Sequence, residues 1–443
     1  MGWGKIDMIP DKQAKYYDFL PVPMWDQMQY LIRKVSDQQI RAVIKFDGRL
    51  DPEILKRAVM LSLDIEPVLR CRFVERDPHP RWERLAKLEI NDIYKIVTTS
   101  EVEKCMADFL AEEIDPLMGP QLKVLLIRSD ADRLCINMNH AAGDAGGMKD
   151  YMYLLAFLYR ELALNGNYQP RSNAGGVRGL DQVFRHLTLA QKMRVLWKSF
   201  TRTQPVRDWC LPLPQPQSPD RFFTFLRLPP DRFEKIKSAG EKLGATVNDV
   251  VLAACYRVLY KMINPGPEVS MRMFVTVDMR RYIPSGKADA ICNLASSVFP
   301  DIGSEIGQNL EETVSKVTSR MSRLKDDLPG LSIFLYTFIP FKLLPFSIVK
   351  RKVHEMMRPG DNGRSFPPGF TNMGIIDAER LVFPGVNVVD AFITGAVNYP
   401  PAFQLGFTSF NSSLTFSVCS CGKAENGPVA SAFLDLLNAQ LPL

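Results

Sequence analysis

One histidine of this chain stands where a side chain could act as a general base. His140 follows an apolar run at 134–138, and a glycine-rich bend that ends in Asp144 comes directly after it. The chain contains only four histidines. A scarce base at the end of a strand is well placed to transfer protons, because the strand fixes its backbone. The residue types at 139–147 therefore predict acid–base chemistry at this bend.

The sequence lacks several other catalytic or binding patterns. It has no GxSxG elbow and no GxxxxGK loop followed by Ser or Thr, which disfavours hydrolase and nucleotide-hydrolysis chemistry. No CxxC pair or Cys/His set has the spacing of metal ligands, so no metal is expected. The net charge of +6 is modest for 443 residues. No basic cluster with interleaved aromatics appears, so a dedicated nucleic-acid binder is not expected.

Hydrophobic periodicity predicts a mixed α/β chain around the bend. In the first half it predicts strands at 40–46, 68–74, 121–127 and 133–139, and a helix at 148–164. In the second half it predicts strands at 222–228, 273–277, 294–298, 403–410 and 414–419, and helices at 230–243, 250–262 and 430–437. Strand–helix–strand order recurs in both halves, so we expect an α/β (α+β) fold with a weak internal duplication.

A poorly patterned segment separates the two halves. Residues 211–216 are proline-rich and extended. We therefore expect an N-terminal lobe at 1–175 that carries the His140 bend, a linker at 176–220 and a C-terminal lobe at 221–443. The length is sufficient for two domains of ordinary size.

Two segments leave alternatives open. Residues 331–349 form the most apolar long window, Pro340 and Pro345 interrupt it, and 350–352 are all basic. This segment indicates either buried helices or a surface that touches lipid or an apolar substrate, that is, a peripheral membrane contact. The Lys and Arg residues between 185 and 207 indicate a solvated helix face, or a face that meets an acidic carrier protein or CoA phosphates.

Cysteine usage predicts the compartment. Eight cysteines are scattered along the chain, and most of them lie inside apolar runs. Such cysteines behave as small hydrophobic residues and are typical of a reducing compartment. No basic-then-apolar leader is present in the sequence. We therefore expect a cytoplasmic protein.

Five segments together resemble one superfamily. The pattern His140-x-x-x-Asp144 resembles the HHxxxDG signature of the condensation-domain and CoA-dependent acyltransferase superfamily, which includes PapA-like, alcohol acyltransferase and wax ester synthase relatives. Four other segments resemble further motifs of this superfamily, in the family's order: 66–73 is similar to RHExLRTxF, 244–254 to GxTxNDVxLAA, 278–293 to vnxR…GN, and 371–374 to SNxG. Two positions depart from the signature, since Asn139 replaces its first histidine and Ala145 replaces its glycine.

The resemblance implies a fold and a reaction. It implies two chloramphenicol-acetyltransferase-like lobes in a V-shape with a tunnel between them. An acyl group would pass from a phosphopantetheine thioester, on CoA or on an acyl or peptidyl carrier protein, to a small-molecule alcohol or amine. No cofactor would be bound permanently, because the thioester is a co-substrate. His140 would be the general base.

The resemblance also assigns supporting roles. It implies that Asn139 is structural, and that Asp144 fixes the bend by pairing with an arginine, with Arg280 as the first candidate and Arg70 as the second. Three glycines are expected to allow unusual backbone angles and close approach of substrate. Two asparagines are expected to contact substrate or to form turns. These five positions are Gly143, Gly146, Gly147, Asn293 and Asn372.

Two other functions remain open at this point. A non-catalytic member of the same fold would act as a platform that recruits carrier proteins or synthetases. A membrane-associated wax ester or glyceride synthase would use the same base at a lipid surface. The presence of His140 favours catalysis over the platform.

Overall fold

Two large β-sheets and the helices packed on them carry the fold. The computed structural model describes residues 18–173, 175–200, 209–326, 328–331, 340–357 and 367–443. In these ranges the chain is a mixed α/β protein, as the sequence predicted.

The elements of the first half surround one five-stranded sheet. In chain order they are β1 (Phe19–Pro21), α1 (Met24–Leu31), β2 (Gln39–Phe46), α2 (Pro52–Ile65), β3 (Cys71–Val74), β4 (Arg81–Arg84), β5 (Tyr94–Thr98), α3 (Val102–Ala111), β6 (Leu122–Arg128), β7 (Arg133–Asn139) and α4 (Ala145–Leu164). Two helices follow them, α5 (Asp181–Phe184) and α6 (Leu189–Phe200).

The elements of the second half surround a six-stranded sheet. They are β8 (Arg221–Leu228), α7 (Pro230–Lys242), α8 (Val247–Ile263), β9 (Phe274–Asp278), β10 (Ala295–Val298), α9 (Leu310–Lys325), α10 (Phe346–Met356), β11 (Gly369–Ile375), β12 (Val388–Thr394), β13 (Gln404–Phe410), β14 (Ser413–Cys421) and α11 (Lys423–Gln440).

Strand order shows that the two halves are joined through a shared sheet. The first sheet has the order β12-β2-β7-β6-β5, and the second has the order β10-β9-β11-β13-β14-β8. Strand β12 comes from the C-terminal part of the chain, yet it pairs antiparallel with β2. A third, small sheet has the order β1-β4-β3. One strand from the part of the chain after residue 221 therefore belongs to the five-stranded sheet.

Local signals account for where several helices begin. Asp51 accepts hydrogen bonds from the backbone N–H groups of residues 53 and 54, and Pro52 occupies the first helical position of α2. Thr246 caps α8 in a reciprocal box with Asp249.

The expected linker is packed against both cores. Val183, Leu187 and Val195 are buried in the larger core cluster, which contains residues of both halves. Trp209 and Leu211 are buried in the core of the second lobe. The segment therefore crosses from one core to the other as an ordered connection wherever the structure describes it.

Two expectations on local structure need correction. The strand expected at 68–74 is shorter, since 67–70 form a turn of 3₁₀ helix and only 71–74 pair as β3. Pro67 starts that turn, because its ring fixes a helical φ. The helix expected from 148 begins three residues earlier, at Ala145, because Asp144 caps it.

The apolar window of 331–349 is described only in part. Residues 332–339 lie outside the described residues, and α10 covers the end of the window and the basic triplet at 350–352. Phe346, Val349 and Val353 of α10 are buried in the larger core cluster, together with residues of the first half. Among the helices that the structure describes, none is long and apolar enough to cross a membrane.

Candidate active site

The His140 bend lies at the end of a central, buried strand. Strand β7 pairs with β2 on one side and with β6 on the other. The backbone N–H of His140 donates to the carbonyl oxygen of Gln38 at 2.8 Å, which ties the bend to the start of β2. The His140 side chain is half-buried. The strand thus delivers a partly exposed imidazole on a fixed backbone.

Asn139 has a structural environment. Its side-chain amide donates to the carbonyl oxygen of Ile114 at 3.1 Å, and its carbonyl oxygen accepts from the N–H of Ala141 at 3.0 Å. The residue is 2% exposed. An asparagine can therefore satisfy the neighbouring backbone at the position where the superfamily signature has a histidine.

One hydrogen bond defines which imidazole nitrogen of His140 is basic. Nδ1 of His140 lies 3.1 Å from Oδ1 of Asn293. The amide nitrogen of Asn293 already donates to Oδ1 of Asp26 at 3.0 Å and to the carbonyl oxygen of Ala141 at 3.1 Å. Since Oδ1 of Asn293 can only accept, Nδ1 of His140 must carry the proton. The lone pair for proton abstraction is therefore on Nε2.

A buried ion pair stands behind Asn293. Asp26 is fully buried, and its Oδ2 accepts from Trp82 Nε1 at 3.0 Å and from Arg178 Nη2 at 2.6 Å. Burial raises the pKa of Asp26, and Arg178 opposes that effect. Each side chain that forms a described hydrogen bond with Asp26 donates to it, as expected around an ionised carboxylate. Sequence analysis missed Asp26 and Arg178, since an isolated acidic and an isolated basic residue give no local signal.

Arg178 also joins the two halves of the molecule. Its guanidinium donates to the carbonyl oxygen of Ala142, in the His140 bend, at 3.1 Å. It also donates to the carbonyl oxygen of Ile291, two residues before Asn293. A residue of the expected linker therefore holds the bend and the β9–β10 connection together.

Glu66, from the segment at 66–73, reaches the same connection. It accepts from the side-chain amide of Asn173 at 2.9 Å and from the N–H of Ile291 at 3.2 Å. Burial raises the pKa of Glu66 to about 7. The resemblance of this segment to a superfamily motif thus corresponds to a contact between the two halves.

Asp144 points away from the imidazole and binds arginine. Its two carboxylate oxygens face the guanidinium of Arg280, with Oδ2 3.0 Å from Nη1 and Oδ1 3.0 Å from Nη2. Oδ1 also accepts from the N–H of Gly147 at 2.8 Å, and Oδ2 from the N–H of Leu294 at 2.7 Å. Burial raises the pKa of Asp144, but Arg280 and these donors together hold it below its ordinary value. The carboxylate is saturated by structural contacts.

Arg70, the second candidate partner, is not part of this pair. Its Nη1 lies 3.4 Å from a carboxylate oxygen of Asp64, and its Nε donates to the carbonyl oxygen of Leu85 at 3.2 Å. The structure therefore places Arg70 away from Asp144. Residue 70 ends a 3₁₀ turn, and its guanidinium contacts the residue that follows β4.

The three glycines of the bend allow neighbouring protein groups to pack closely, and none of them adopts a backbone angle that requires glycine. None of them is among the described glycines with positive φ. A Cβ on Gly146 would stand 2.4 Å from Nη1 of Arg280, and a Cβ on Gly147 would stand 3.2 Å from the carbonyl oxygen of Cys292. A Cβ on Gly143 would meet side chains of the neighbouring core. The unusual backbone angles expected from the sequence are not present, and close packing of Arg280 explains Gly146.

Asn372 lies on β11, and its side chain contacts α8 and its own strand. It is exposed, its Oδ1 accepts from the N–H of Gly374 at 2.8 Å, and its amide donates to Asn248 at 3.1 Å. These contacts fit the turn-forming role that the sequence left open. Nζ of Lys149, on α4, lies 2.8 Å from where a Cβ of Gly374 would stand. Burial lowers the pKa of Lys149, so this segment also faces a partly desolvated cation.

Desolvation controls the titration of His140. Burial lowers the pKa of the imidazole below its ordinary value of 6.5, and the nearby Asp144 and Asn293 only partly oppose this effect. The ring is therefore neutral at neutral pH, which is the form that can accept a proton. A base held neutral by burial does not require a carboxylate in contact with it.

A cavity lies beside the bend. It has a volume of about 280 Å³, and its lining includes Asn139, Gln38, Tyr399 and the cations Arg33 and Lys34. His140 is not among its lining residues. A slightly larger cavity, of about 330 Å³, lies along β3 and includes none of the predicted site residues. The first cavity is the one whose lining includes a residue of the bend, Asn139, so we connect this cavity with function.

Loss of Arg280 is expected to destabilise the protein strongly. In Arg280→Ala, Asp144 stays buried without an opposite charge, which should lower the free energy of unfolding by about 3–5 kcal/mol. Urea unfolding followed by circular dichroism measures this. The exposed neighbour Arg281 provides the matched control, and Arg281→Ala should change the free energy by less than about 0.5 kcal/mol. Equal effects of the two variants would contradict the structural role of the pair.

Condensation domains and an acetyltransferase are among the solved structures with a similar fold. The chain superposes on the first condensation domain of the CDA synthetase with a TM-score of 0.66 at 17% identity, covering 95% of this chain and 96% of that one. The TM-score is 0.68 for a trichothecene 15-O-acetyltransferase from Fusarium sporotrichioides, at 13% identity over 96% and 95% of the two chains. It is 0.64 for polyketide synthase associated protein 5 from Mycobacterium tuberculosis, at 14% identity over 94% and 98%. These similarities confirm the fold that the sequence resemblance implied.

The sequence is also similar to part of a peptide synthetase. Gramicidin S synthase 2 of Brevibacillus brevis is 26% identical to this chain over 267 residues, and so is the protein of the same name from Aneurinibacillus migulanus. The match covers 56% of this chain and 6% of each relative. The chain therefore matches only a small part of the length of these relatives. No family model matches the chain.

Proposed function

Because the chain has the fold of condensation domains and related acyltransferases, we propose that it transfers an acyl group from a phosphopantetheine thioester to a hydroxyl or amine. His140 is the general base of this reaction. The observation that carries the proposal is the hydrogen bond from Nδ1 of His140 to Asn293. This bond leaves Nε2 unprotonated and basic, at a bend of the first half that contacts the second half.

The proposed reaction needs one proton shuttle. Nε2 of His140 takes the proton of the acceptor O–H or N–H while the acceptor oxygen or nitrogen attacks the thioester carbonyl carbon. The tetrahedral intermediate then collapses, and the C–S bond breaks. The proton on Nε2 passes to the departing thiolate, so the imidazole returns to its starting form. No acyl-enzyme is needed when both substrates meet at the base.

The other site residues hold His140 in place and set its tautomer. Asp144 and Arg280 hold the bend against the β9–β10 connection, and Asn293 sets the tautomer of the imidazole. Asn139 satisfies the backbone beside the base. These roles agree with the absence of a hydrogen bond between Asp144 and the imidazole among the described contacts.

The cavity beside the bend supports a phosphorylated donor. Arg33 and Lys34 line a space that extends to Asn139, the residue next to the base. The lining also includes the acidic residues Asp37 and Glu113. Within it, Arg33 and Lys34 are the groups that suit the phosphates of CoA or of a phosphopantetheine arm. This cavity is the site that we assign to the donor arm, whether it is carried by CoA or by a carrier protein.

Thiol release measures the proposed activity directly. The purified chain is incubated with acyl-CoA or acyl-pantetheine and with a panel of alcohols and amines, and free thiol is followed with time. We expect release that depends on the acceptor, together with an ester or amide product in the mass spectrum. The phosphate-free acyl-pantetheine should have the higher KM, because it lacks the groups that Arg33 and Lys34 bind. No acceptor-dependent release with any donor would favour a recruitment platform.

A further inference from the structure

Helix α6 presents a large apolar ridge to solvent. Leu189, Met193 and Trp197 follow one another at intervals of four residues, so they lie on one face of the helix. Their exposed fractions are 76%, 56% and 65%. Val195 is 2% exposed and belongs to the larger core cluster, so the helix is anchored through the opposite face. Three neighbouring large apolar side chains in solvent indicate a binding surface.

The sequence that contains this ridge is positively charged. The sequence from 182 to 207 contains six Lys and Arg residues and no Asp or Glu. Lys192 and Arg194 are both exposed, and each lies about 100° around the helix from Met193, on opposite sides. The ridge is therefore flanked by a cation on each side.

We propose that α6 is an interfacial helix that lays this ridge on a bilayer containing anionic lipid. An apolar stripe with Trp and Leu, flanked by Lys and Arg, is the pattern of helices that lie in the plane of a membrane surface. The long cationic side chains reach the phosphate level on both sides of the inserted stripe. The surface is a ridge rather than a groove, so it suits insertion into a deformable layer.

This inference is independent of the proposed reaction. The ridge lies on the helix face opposite Val195, and neither Met193 nor Trp197 contacts a residue of the candidate active site among the described interactions. Membrane binding therefore requires neither His140 nor a thioester. The acyltransferase proposal can fail while this one holds, and the reverse is also true.

Vesicle binding by the full chain tests the proposal. The protein is mixed with vesicles of phosphatidylcholine, or of phosphatidylcholine with phosphatidylglycerol, and bound protein is separated by flotation. We expect binding to the anionic vesicles only, weakened by added salt because the cations are screened. Lys192→Ala should weaken partition about fivefold, which corresponds to the contribution of one cation near an anionic surface. Tryptophan fluorescence should shift to the blue on binding, and Trp197→Phe should remove most of that shift.

A matched pair of variants separates the ridge from general surface effects. Met193→Glu places a charge at the centre of the ridge and should abolish flotation. Leu164, at the end of α4, is 74% exposed, and Leu164→Glu should bind like the wild type. Circular dichroism verifies that both variants are folded. Failure of the wild type to bind anionic vesicles overturns the proposal, as does undiminished binding of Met193→Glu or self-association through α6 without lipid.

Discussion

Replacement of His140 by alanine is expected to lower acceptor-dependent thiol release by about 10²–10⁴-fold. The imidazole is the only described histidine whose Nδ1 is fixed by a buried amide next to the join between the halves. Removing it leaves the substrates aligned but without a group to take the acceptor proton. The measurement is the initial rate with saturating donor, and KM for the donor should change little because the base does not bind it.

A second histidine provides the control for this variant. His186 is exposed, and His186→Ala should retain the wild-type rate. The pH profile gives an independent check. Since burial holds the pKa of His140 below 6.5, the neutral base is present at pH 7 and is lost only as the pH falls through that lower pKa. The rate should therefore decline on an acid limb below pH 6.5. A rate unaffected by His140→Ala would sink the proposed chemistry.

Much of the local architecture near the base could be predicted from sequence. The apolar run before His140 predicted β7, and the periodicity after the bend predicted α4. Both predictions succeeded because each signal lies within the element that it predicts. The start of α4 was placed too late, since Asp144 was interpreted as a partner for arginine and not also as a helix cap. In the structure one carboxylate does both, accepting from Gly147 and from Arg280.

Contacts across the join were less predictable. Arg280 was identified through the resemblance to a superfamily motif, not through any pattern of charge. Asp26 and Arg178 lie 152 positions apart, and nothing local distinguishes them from exposed acidic and basic residues. The same holds for β12, which crosses to the first sheet although its sequence gives no sign of its partner. Long-range pairing depends on how the two halves pack, and hydrophobic periodicity carries no information about that packing.

The predicted roles of the glycines show that a motif does not specify why a residue type is present. A glycine in a bend is compatible with positive φ, with close substrate approach or with close protein packing. The structure shows the third at Gly146, where the guanidinium of Arg280 occupies the space of a Cβ. The residue type alone does not distinguish among these three roles, and the neighbouring side chain shows which of them applies at Gly146.

Loss of the Asn293 side chain is expected to lower the rate about 10- to 100-fold with the base still present. In Asn293→Ala, Nδ1 of His140 loses its acceptor, so the ring can rotate or carry its proton on Nε2 instead. Asp26 loses one of its donors, which should also lower the free energy of unfolding by about 1–3 kcal/mol. Nitrogen NMR of the histidine rings should show protonated Nδ1 in the wild type and a mixture of tautomers in the variant.

Asn137 separates this positioning effect from the cost of removing any buried amide. It is fully buried in β7, two positions before Asn139, and donates to the carbonyl oxygen of Phe109 at 2.8 Å. Asn137→Ala should cost a similar free energy of unfolding, because it also leaves a buried polar group unpaired. It should leave the rate per folded molecule and the His140 tautomer unchanged. If both alanine variants lose activity in proportion to stability alone, with one tautomer in each, then Asn293 only packs the site and does not orient the base.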